Sequence, residues 1–352
     1  VRFRAEVRSS AGVSSETLLA ATTVAGPPPG TLPVEAETAE GTTLHVGVWR
    51  WPFDPVLTAL EAAVTPHRAA ELFGNLVDDR PSIEVVAYRP TERAVMRVEP
   101  SDGRAMFYAK VVSPATTSAL IDRHERLGQA GLPVPRIWAS GPGWVAMEAL
   151  TGPTLRDQLK EGRHPWPAPD QFTSLLDRLT GIDPDGFAAT RSRLIDAPEH
   201  AAMLSTVLPS DAARLGEIAD RLRAIAAAAD RPRTVIHGDL HEAQLVVDGE
   251  RVVGLLDIDD VGAGDPLDDI ATLVGHLTYR GTTAEAGGAE ILEYAGTLKQ
   301  ALAAGYEPAV VDQAVAATLV GLATGPFRIQ QAGWQQTTRD QLDLIETLLE
   351  SP

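Results

Sequence analysis

One segment of this chain, residues 235–271, constrains its fold and chemistry more than any other: VIHGDLHEAQLVVDGERVVGLLDIDDVGAGDPLDDIA. It begins with two β-branched apolar residues, as a buried strand does, and continues into a polar loop, 237–244. Two apolar runs then flank an Asp-Gly dipeptide, which is typical of a tight hairpin turn. The hairpin is expected to bring Asp239, Gln244 and Asp257 to one edge. Mg²⁺ prefers oxygen ligands, so the segment predicts a magnesium and phosphate site.

The spacing of these three residues matches the catalytic loop of kinases, where an amide side chain follows the catalytic Asp by five residues and a metal-binding Asp comes later. The segment also resembles the signature of the aminoglycoside phosphotransferases and their relatives, the choline kinases, maltokinases and glucosamine kinases. That signature reads H-G-D-x-x-x-x-N, then a strand ending in I-D, then G-x-G-D-P-x-x-D-L-A. This chain has His-Gly-Asp at 237–239, Leu-Asp at 256–257 and G-A-G-D-P-L-D-D-I-A at 262–271. The resemblance implies an α+β fold, bilobal and protein-kinase-like, and an ATP-dependent phosphotransferase with an alcohol group as acceptor.

The resemblance also implies a role for each matching residue. Asp239 is the expected catalytic carboxylate, which takes the proton of the acceptor hydroxyl. Asp257 is expected to hold Mg²⁺, and Gln244, which stands where most of the family has Asn, is expected to hold the same ion or a second one. The HGDLHxxQ form resembles the maltokinase and glucosamine kinase branches, and an impaired or repurposed kinase is the alternative interpretation.

Residues before this segment are expected to bind the nucleotide. Lys110 lies in the apolar run AMFYAKVV, where the family has the lysine that binds the α- and β-phosphates of ATP; a surface lysine is the simpler alternative. Glu125, on a predicted helix, is expected to pair with Lys110, and Asp122 is the second candidate. The main chain from Glu148 to Leu150 is expected to form the hinge that pairs with adenine.

Other polar residues of the segment are expected to be structural. His237 is predicted to brace the loop rather than react. Asp265 is predicted to accept backbone N–H groups, Asp269 to cap the following helix, and Asp268 to be a solvated charge. A zinc site built from the histidines and aspartates of the loop is disfavoured, because the H-G-D-L-H spacing lacks the partner helix of known zinc hydrolase motifs.

Three regions are predicted along the chain. Period-two alternation near the N-terminus and two short helical patterns indicate a small β-rich cap, which is followed by a strand-rich stretch and then by helical patterns that surround the hairpin. The predicted regions are the cap at 1–78, the small β-rich nucleotide-binding lobe at 79–150 and the helical catalytic and acceptor-binding lobe at 151–352.

Composition narrows the class of partner. The formal net charge of −18 argues against nucleic acid or an anionic membrane as a partner. The chain has no cysteine, which excludes disulfides and thiolate nucleophiles. No apolar run suggests a membrane helix, and the N-terminus lacks the apolar core of a signal peptide, so a cytoplasmic location is expected. The oligomeric state is left open.

The expected acceptor is a small-molecule sugar hydroxyl, on an aminosugar such as glucosamine. Asp259 and Asp260 follow Asp257, the expected metal ligand, and could either extend the metal site or pair with a substrate ammonium, which the negative charge of the chain would also attract. The amide-rich segment near the C-terminus offers further candidate substrate contacts, namely Gln331, Trp334 and Arg339. An antibiotic-modifying aminoglycoside phosphotransferase and a nucleotide-binding pseudokinase are the alternatives, whereas a protein kinase is disfavoured because no activation segment fits after Asp257.

Overall fold

The computed structural model describes residues 2–8, 14–22, 28–37, 41–228 and 232–350. The chain forms two compact units, the first made of residues 1–125 with 135–150 and the second of residues 126–134 with 151–352. The predicted cap and most of the predicted small lobe fall within the first unit, but residues 126–134 of that lobe fall in the second. The boundary between cap and small lobe at residue 78 stays a prediction.

The first unit begins with a four-stranded antiparallel sheet in the order β1-β2-β4-β3. Its strands are β1 Arg2–Arg8, β2 Ser14–Thr22, β3 Leu32–Glu37 and β4 Thr43–Arg50. The sequence predicts strands at 1–8, at 16–25 and within 43–51, which correspond to β1, β2 and β4. Strand β3 was not predicted, because its side chains are all exposed and its sequence has no buried face. The buried Trp49 donates to the Tyr88 hydroxyl (3.0 Å), which donates to Asp54 (2.7 Å), so the predicted cap and small lobe share one core.

A five-stranded antiparallel sheet in the order β5-β6-β7-β9-β8 completes the first unit. The strands are β5 Ser82–Arg89, β6 Arg93–Glu99, β7 Phe107–Val112, β8 Ile137–Gly141 and β9 Trp144–Glu148, and the helices are α1 Leu60–Val64, α2 Pro66–Phe73 and α3 Thr117–Gln129. The central strand β7 carries Lys110, which is paired with Val95 on one side and Val145 on the other.

The second unit is mainly helical. Its helices are α4 Leu155–Glu161, α5 Pro169–Thr180, α6 Arg193–Val207, α7 Ala212–Ala228, α8 Pro266–Thr283, α9 Gly288–Leu302, α10 Pro308–Ala323, α11 Gly325–Arg328 and α12 Trp334–Leu349. Two short antiparallel pairs lie among them: β10 Thr234–Ile236 with β13 Gly262–Gly264, and β11 Leu245–Asp248 with β12 Arg251–Leu255. Buried strand residues such as Val235, Leu245 and Leu255 belong to the same apolar core as the helices, so helix packing holds the hairpin in place.

Helix α6 differs most from its prediction. The helical pattern in the sequence begins at Glu199, because Pro198 is a residue that normally ends or precedes a helix. In the structure α6 begins six residues earlier at Arg193, after the N-cap Ser192, and Pro198 lies inside it. Helix α4 was not predicted, although Thr154 and Asp157 form a capping box at its start.

One stretch, Pro308–Arg328, is long and apolar enough to cross a membrane by length and composition. It covers α10 and α11, and 67% of its apolar window is buried inside the protein. This burial is what a core helix requires.

Candidate active site

The catalytic loop predicted at 237–244 is fixed by its own backbone and by His237. The His237 side chain is fully buried, and its Nε2 lies 2.9 Å from the Leu256 carbonyl oxygen. Its Nδ1 lies 3.3 Å from the amide nitrogen of Asp239, which donates to it. Both ring nitrogens are therefore used within the loop, in the tautomer with the proton on Nε2. The predicted bracing role is confirmed, and no lone pair remains for the zinc site considered above.

Of three aspartates at the start of α8, Asp268 and Asp269 differ from their predicted roles. Asp269, predicted as a cap, is fully buried and accepts from the backbone N–H groups of His237 (2.6 Å) and Gly238 (2.8 Å). Asp265 accepts a backbone N–H group, as predicted, from Leu267 (2.9 Å), and this contact makes it the N-cap of α8. Asp268, predicted to be solvated, is buried, and the Ser192 hydroxyl donates to it at 2.9 Å. Burial raises the pKa of Asp269 against the lowering effect of His237.

Gly238 allows the loop to make this turn. Its φ of +82° lies in the left-handed region that glycine adopts without strain. A Cβ at this position would lie 2.5 Å from the Asp260 carbonyl oxygen and 2.8 Å from a methyl group of Thr190. The backbone around Asp260 therefore packs directly on the catalytic loop, and only glycine fits between them.

The proposed base, Asp239, is half-buried and lies beside an arginine that the sequence did not indicate. Arg193, the first residue of α6, donates from Nη2 to Asp239 Oδ1 at 2.5 Å and to the Gly238 carbonyl oxygen at 3.3 Å. The other carboxylate oxygen, Oδ2, lies 3.7 Å from Nε2 of His241. Because 46 residues separate Arg193 from Asp239, no local pattern could have revealed the contact.

The β11–β12 hairpin brings the two predicted metal ligands to one end, as expected. Leu245 pairs with Leu255, and the Leu256 amide donates to the Gln244 carbonyl at 2.8 Å, so Gln244 and Asp257 flank the same end of the ladder. Asp257 has a left-handed backbone (φ +51°), a strained conformation that often marks a functional residue. The side-chain amide of Gln244 also contacts His241, with its Nε2 3.1 Å from Nε2 of the imidazole. One carboxylate and one amide oxygen fit a Mg²⁺ ion, which keeps several water ligands.

Glu242, which the sequence analysis did not single out, anchors the loop to two helices. Its carboxylate is almost fully buried, and Oε1 accepts from Arg156 of α4 (2.9 Å) and Arg280 of α8 (2.9 Å). Burial, the largest effect, raises the pKa of Glu242, but the nearby His241, with Nδ1 3.6 Å from Oε2, and the charges of His276 and Arg156 outweigh it and hold the pKa below its ordinary value. Glu242 therefore remains ionised and fixes the position of the residues on either side of it.

His241, Glu242 and His276 bring their ligand atoms within 4.8 Å of one another, as a metal site could. The two imidazole rings, however, are stacked with centroids 4.3 Å apart and an interplanar angle of 3°. Lone pairs in parallel planes cannot both point at one ion. Two guanidinium groups also already compensate the charge of Glu242. The cluster is therefore a structural support of the loop, in which burial, followed by repulsion from His241, lowers the pKa of His276 to about 3.

The predicted nucleotide-binding residues lie in the first unit. Lys110 is 5% exposed on β7, so it is not a surface lysine, whereas Glu125 is exposed on α3; their pairing stays a prediction. Glu148 ends β9 and holds Arg136 through two side-chain hydrogen bonds (3.0 and 3.1 Å), which lower its pKa. Its amide also donates to the Arg136 carbonyl at 2.8 Å, so that N–H is not available to adenine. The hinge role of Glu148 and Leu150 stays a prediction.

The predicted acceptor residues occupy two places in the second unit. Asp259 and Asp260 form a single 3₁₀ turn directly after Asp257. Trp334 is half-buried at the start of α12 and packs edge-to-face on Phe327, with ring centroids 5.0 Å apart.

The other two candidates lie close to Trp334 in the sequence. Gln331 is exposed. Arg339 already donates to Asp211 (3.2 Å) and to Ser210 (3.3 Å), which links α12 to the turn before α7. The role of these residues in substrate binding stays a prediction.

Comparison with known proteins identifies the family. The family model described as "Phosphotransferase enzyme family" matches residues 91–312, more than half of the chain. No curated protein matches the sequence.

Solved structures share the fold. A thermostable mutant of aminoglycoside phosphotransferase APH(4)-Ia, in ternary complex with AMP-PNP and hygromycin B, has 14% identity and a TM-score of 0.58, covering 82% of this chain and 99% of that one. A choline/ethanolamine kinase family protein from Mesorhizobium loti has 16% identity and a TM-score of 0.55, and the match covers 83% of this chain and 95% of that one. ADP-bound aminoglycoside phosphotransferase APH(2'')-Ib has 10% identity and a TM-score of 0.51, and the match covers 80% of this chain and 97% of that one.

These likenesses confirm the predicted α+β, protein-kinase-like fold. The chain belongs to the phosphotransferase enzyme family, and it is a phosphotransferase that acts on a hydroxyl group.

Proposed function

We propose that this protein is an ATP- and Mg²⁺-dependent small-molecule kinase that transfers the γ-phosphate to a sugar hydroxyl, on an aminosugar such as glucosamine. The observation that carries the proposal is the catalytic loop, in which Asp269 fixes the backbone before Asp239 and the hairpin brings Gln244 and Asp257 together. Several of the similar solved structures contain AMP-PNP or ADP, which supports ATP as the donor.

Each residue has a defined task in this reaction. Asp239 takes the hydroxyl proton while the acceptor oxygen bonds to the γ-phosphorus, and the bond from that phosphorus to the bridging oxygen of ADP breaks. Asp257 and Gln244 hold Mg²⁺, which neutralises phosphate charge when bound. Lys110 holds the α- and β-phosphates, with Glu125 as its partner. Phosphoryl transfer requires mainly positioning and charge compensation, so this small set of groups suffices.

Several observations support a cationic sugar as the acceptor. The net charge of −18 attracts cations, and Asp259 and Asp260 follow the metal-binding residue closely enough to contact an acceptor. The backbone of Asp260 packs against Gly238, next to the proposed base. Trp334 offers an apolar ring face for a pyranose. One of the similar solved structures contains the aminoglycoside hygromycin B.

The second candidate function is an antibiotic-modifying aminoglycoside phosphotransferase. The same acidic residues would suit it, because an aminoglycoside is also a cationic sugar. The acceptor size separates the two candidates: a single aminosugar ring needs fewer contacts than a multi-ring antibiotic.

A coupled assay of ADP release tests the proposal. The acceptor panel is glucosamine, glucose, maltose, choline and hygromycin B, and Asp239→Asn serves as the inactive control. We expect glucosamine to stimulate ADP release, and Trp334→Ala and Asp260→Asn to raise its KM. Stimulation only by hygromycin B would support the second candidate. If ATP binds but no acceptor stimulates turnover, the protein is a pseudokinase and the proposal is wrong.

A further inference from the structure

Arg193 has no role in the activity described so far, although it lies directly against the catalytic carboxylate. The same nitrogen, Nη2, contacts both Asp239 Oδ1 and the Gly238 carbonyl oxygen. A guanidinium group carries five N–H donors. Those on Nε and Nη1 have no hydrogen-bond partner among the residues that the structure describes. The side chain is one-third exposed, so these donors can reach a ligand.

The position of Arg193 is built into the fold. It follows the N-cap Ser192, whose hydroxyl donates to Asp268 in the first turn of α8. The next residue, Asp269, holds the catalytic loop through two backbone N–H groups. Two consecutive carboxylates on one helix therefore fix both the start of α6 and the loop that carries Asp239. The contact between Arg193 and Asp239 results from this shared support, and it does not depend on a flexible surface side chain meeting a charge by chance.

We propose that Arg193 is an acceptor-binding and positioning residue, an inference that rests on the proposed function. It holds Asp239 Oδ1, so that Oδ2 faces the reacting hydroxyl, and it donates from Nε or Nη1 to a neighbouring oxygen of the acceptor. A neutral oxygen suits this position, whereas an ammonium group there would be repelled by the guanidinium. The amine of an aminosugar acceptor must therefore lie away from the hydroxyl that is phosphorylated.

The test compares Arg193→Gln and Arg193→Lys with Arg191→Gln. Arg191 lies just before the same helix, is 68% exposed and pairs with Asp196 and Glu199 instead of the catalytic loop, so it is a matched control for charge and location. The measurements are the KM for glucosamine, the KM for ATP and kcat, together with the thermal unfolding midpoint. We expect Arg193→Gln to raise the glucosamine KM at least tenfold and to lower kcat, with the ATP KM and the midpoint unchanged.

Chemical rescue separates a binding role from a purely structural one. Added guanidinium ions at low concentration should restore part of the activity of Arg193→Ala and should not affect Arg191→Ala, because a small cation can occupy the vacated position.

The possible outcomes are distinct. An active parent protein whose Arg193 variants keep its glucosamine KM overturns the role of Arg193 and leaves the proposed function intact. Equal increases in the KM values for ATP and glucosamine would also overturn it. A parent protein that phosphorylates no acceptor overturns the proposed function and this inference together.

Discussion

Replacing Asp269 by alanine tests how the catalytic loop is held. The carboxylate is fully buried and accepts from the backbone N–H groups of His237 and Gly238 at 2.6 and 2.8 Å. Leaving a buried N–H group without its acceptor costs about 1–3 kcal/mol, so the loss of both bonds amounts to about 2–6 kcal/mol. Part of this is offset because the variant no longer buries a carboxylate. We therefore expect Asp269→Ala to reduce the free energy of unfolding of the second unit by at least about 2 kcal/mol.

Urea unfolding and hydrogen exchange measure this effect. The unfolding midpoint gives the stability, and exchange of a peptide that covers residues 234–245 reports directly on the two amides. Asp220→Ala is the matched control, because Asp220 is an exposed helical residue paired with Arg223, and its loss should change stability by less than about 0.5 kcal/mol. If Asp269→Ala unfolds with the midpoint of the control and the amides exchange at the parent rate, the loop is held by other contacts.

Three further predictions concern the same loop. Gln244→Ala should raise the Mg²⁺ concentration needed for half-maximal turnover, and Gln244→Asn should keep that concentration near the parent value. If the Mg²⁺ titrations of the parent protein and Gln244→Ala overlap, residue 244 is not a ligand. Gly238→Ala should destabilise the protein by about 2 kcal/mol or more, since the new Cβ meets the Asp260 carbonyl. The control Gly249→Ala has open space around it and should cost only about 1 kcal/mol, for the strained left-handed backbone. Equal unfolding midpoints for the two variants would contradict this. His276 has a folded pKa of about 3, below its ordinary 6.5, so it favours folding above pH 6.5 and loses this contribution as the pH falls toward 3. His276→Gln should therefore flatten the fall in melting temperature between pH 7 and pH 4. The control His67→Gln, at an exposed position, should not flatten it.

The sequence predicted those features that depend on short-range patterns. The Asp-Gly turn and its flanking apolar runs predicted the hairpin, and this hairpin does bring Gln244 and Asp257 to one end. The spacing of the loop predicted Asp239 as the catalytic carboxylate, and this role stays a prediction. Most helices were predicted within a few residues from their apolar periodicity.

The features that sequence reasoning missed depend on contacts between distant residues. Arg193 contacts Asp239 only because α6 begins earlier than its proline suggests. Glu242 connects the loop to two helices only because α4 and α8 each place an arginine beside it. Asp269 was predicted to cap α8 and holds the loop instead, whereas Asp265 is the cap, because an acidic residue near a helix start can serve the helix or the neighbouring loop. Only the packing of the loop on α8 decides between the two.

The central claim is that Asp239 serves as the base in transfer of phosphate to a sugar hydroxyl. The most direct measurement is phosphorus NMR of the product formed from ATP and glucosamine by the parent protein and by Asp239→Asn. We predict a new phosphate ester signal with the parent protein and a rate at least about 100-fold lower with Asp239→Asn, while ATP binding is kept, because an amide preserves the shape of the side chain but cannot accept the proton. Ester formation by Asp239→Asn within a few-fold of the parent rate would contradict the account.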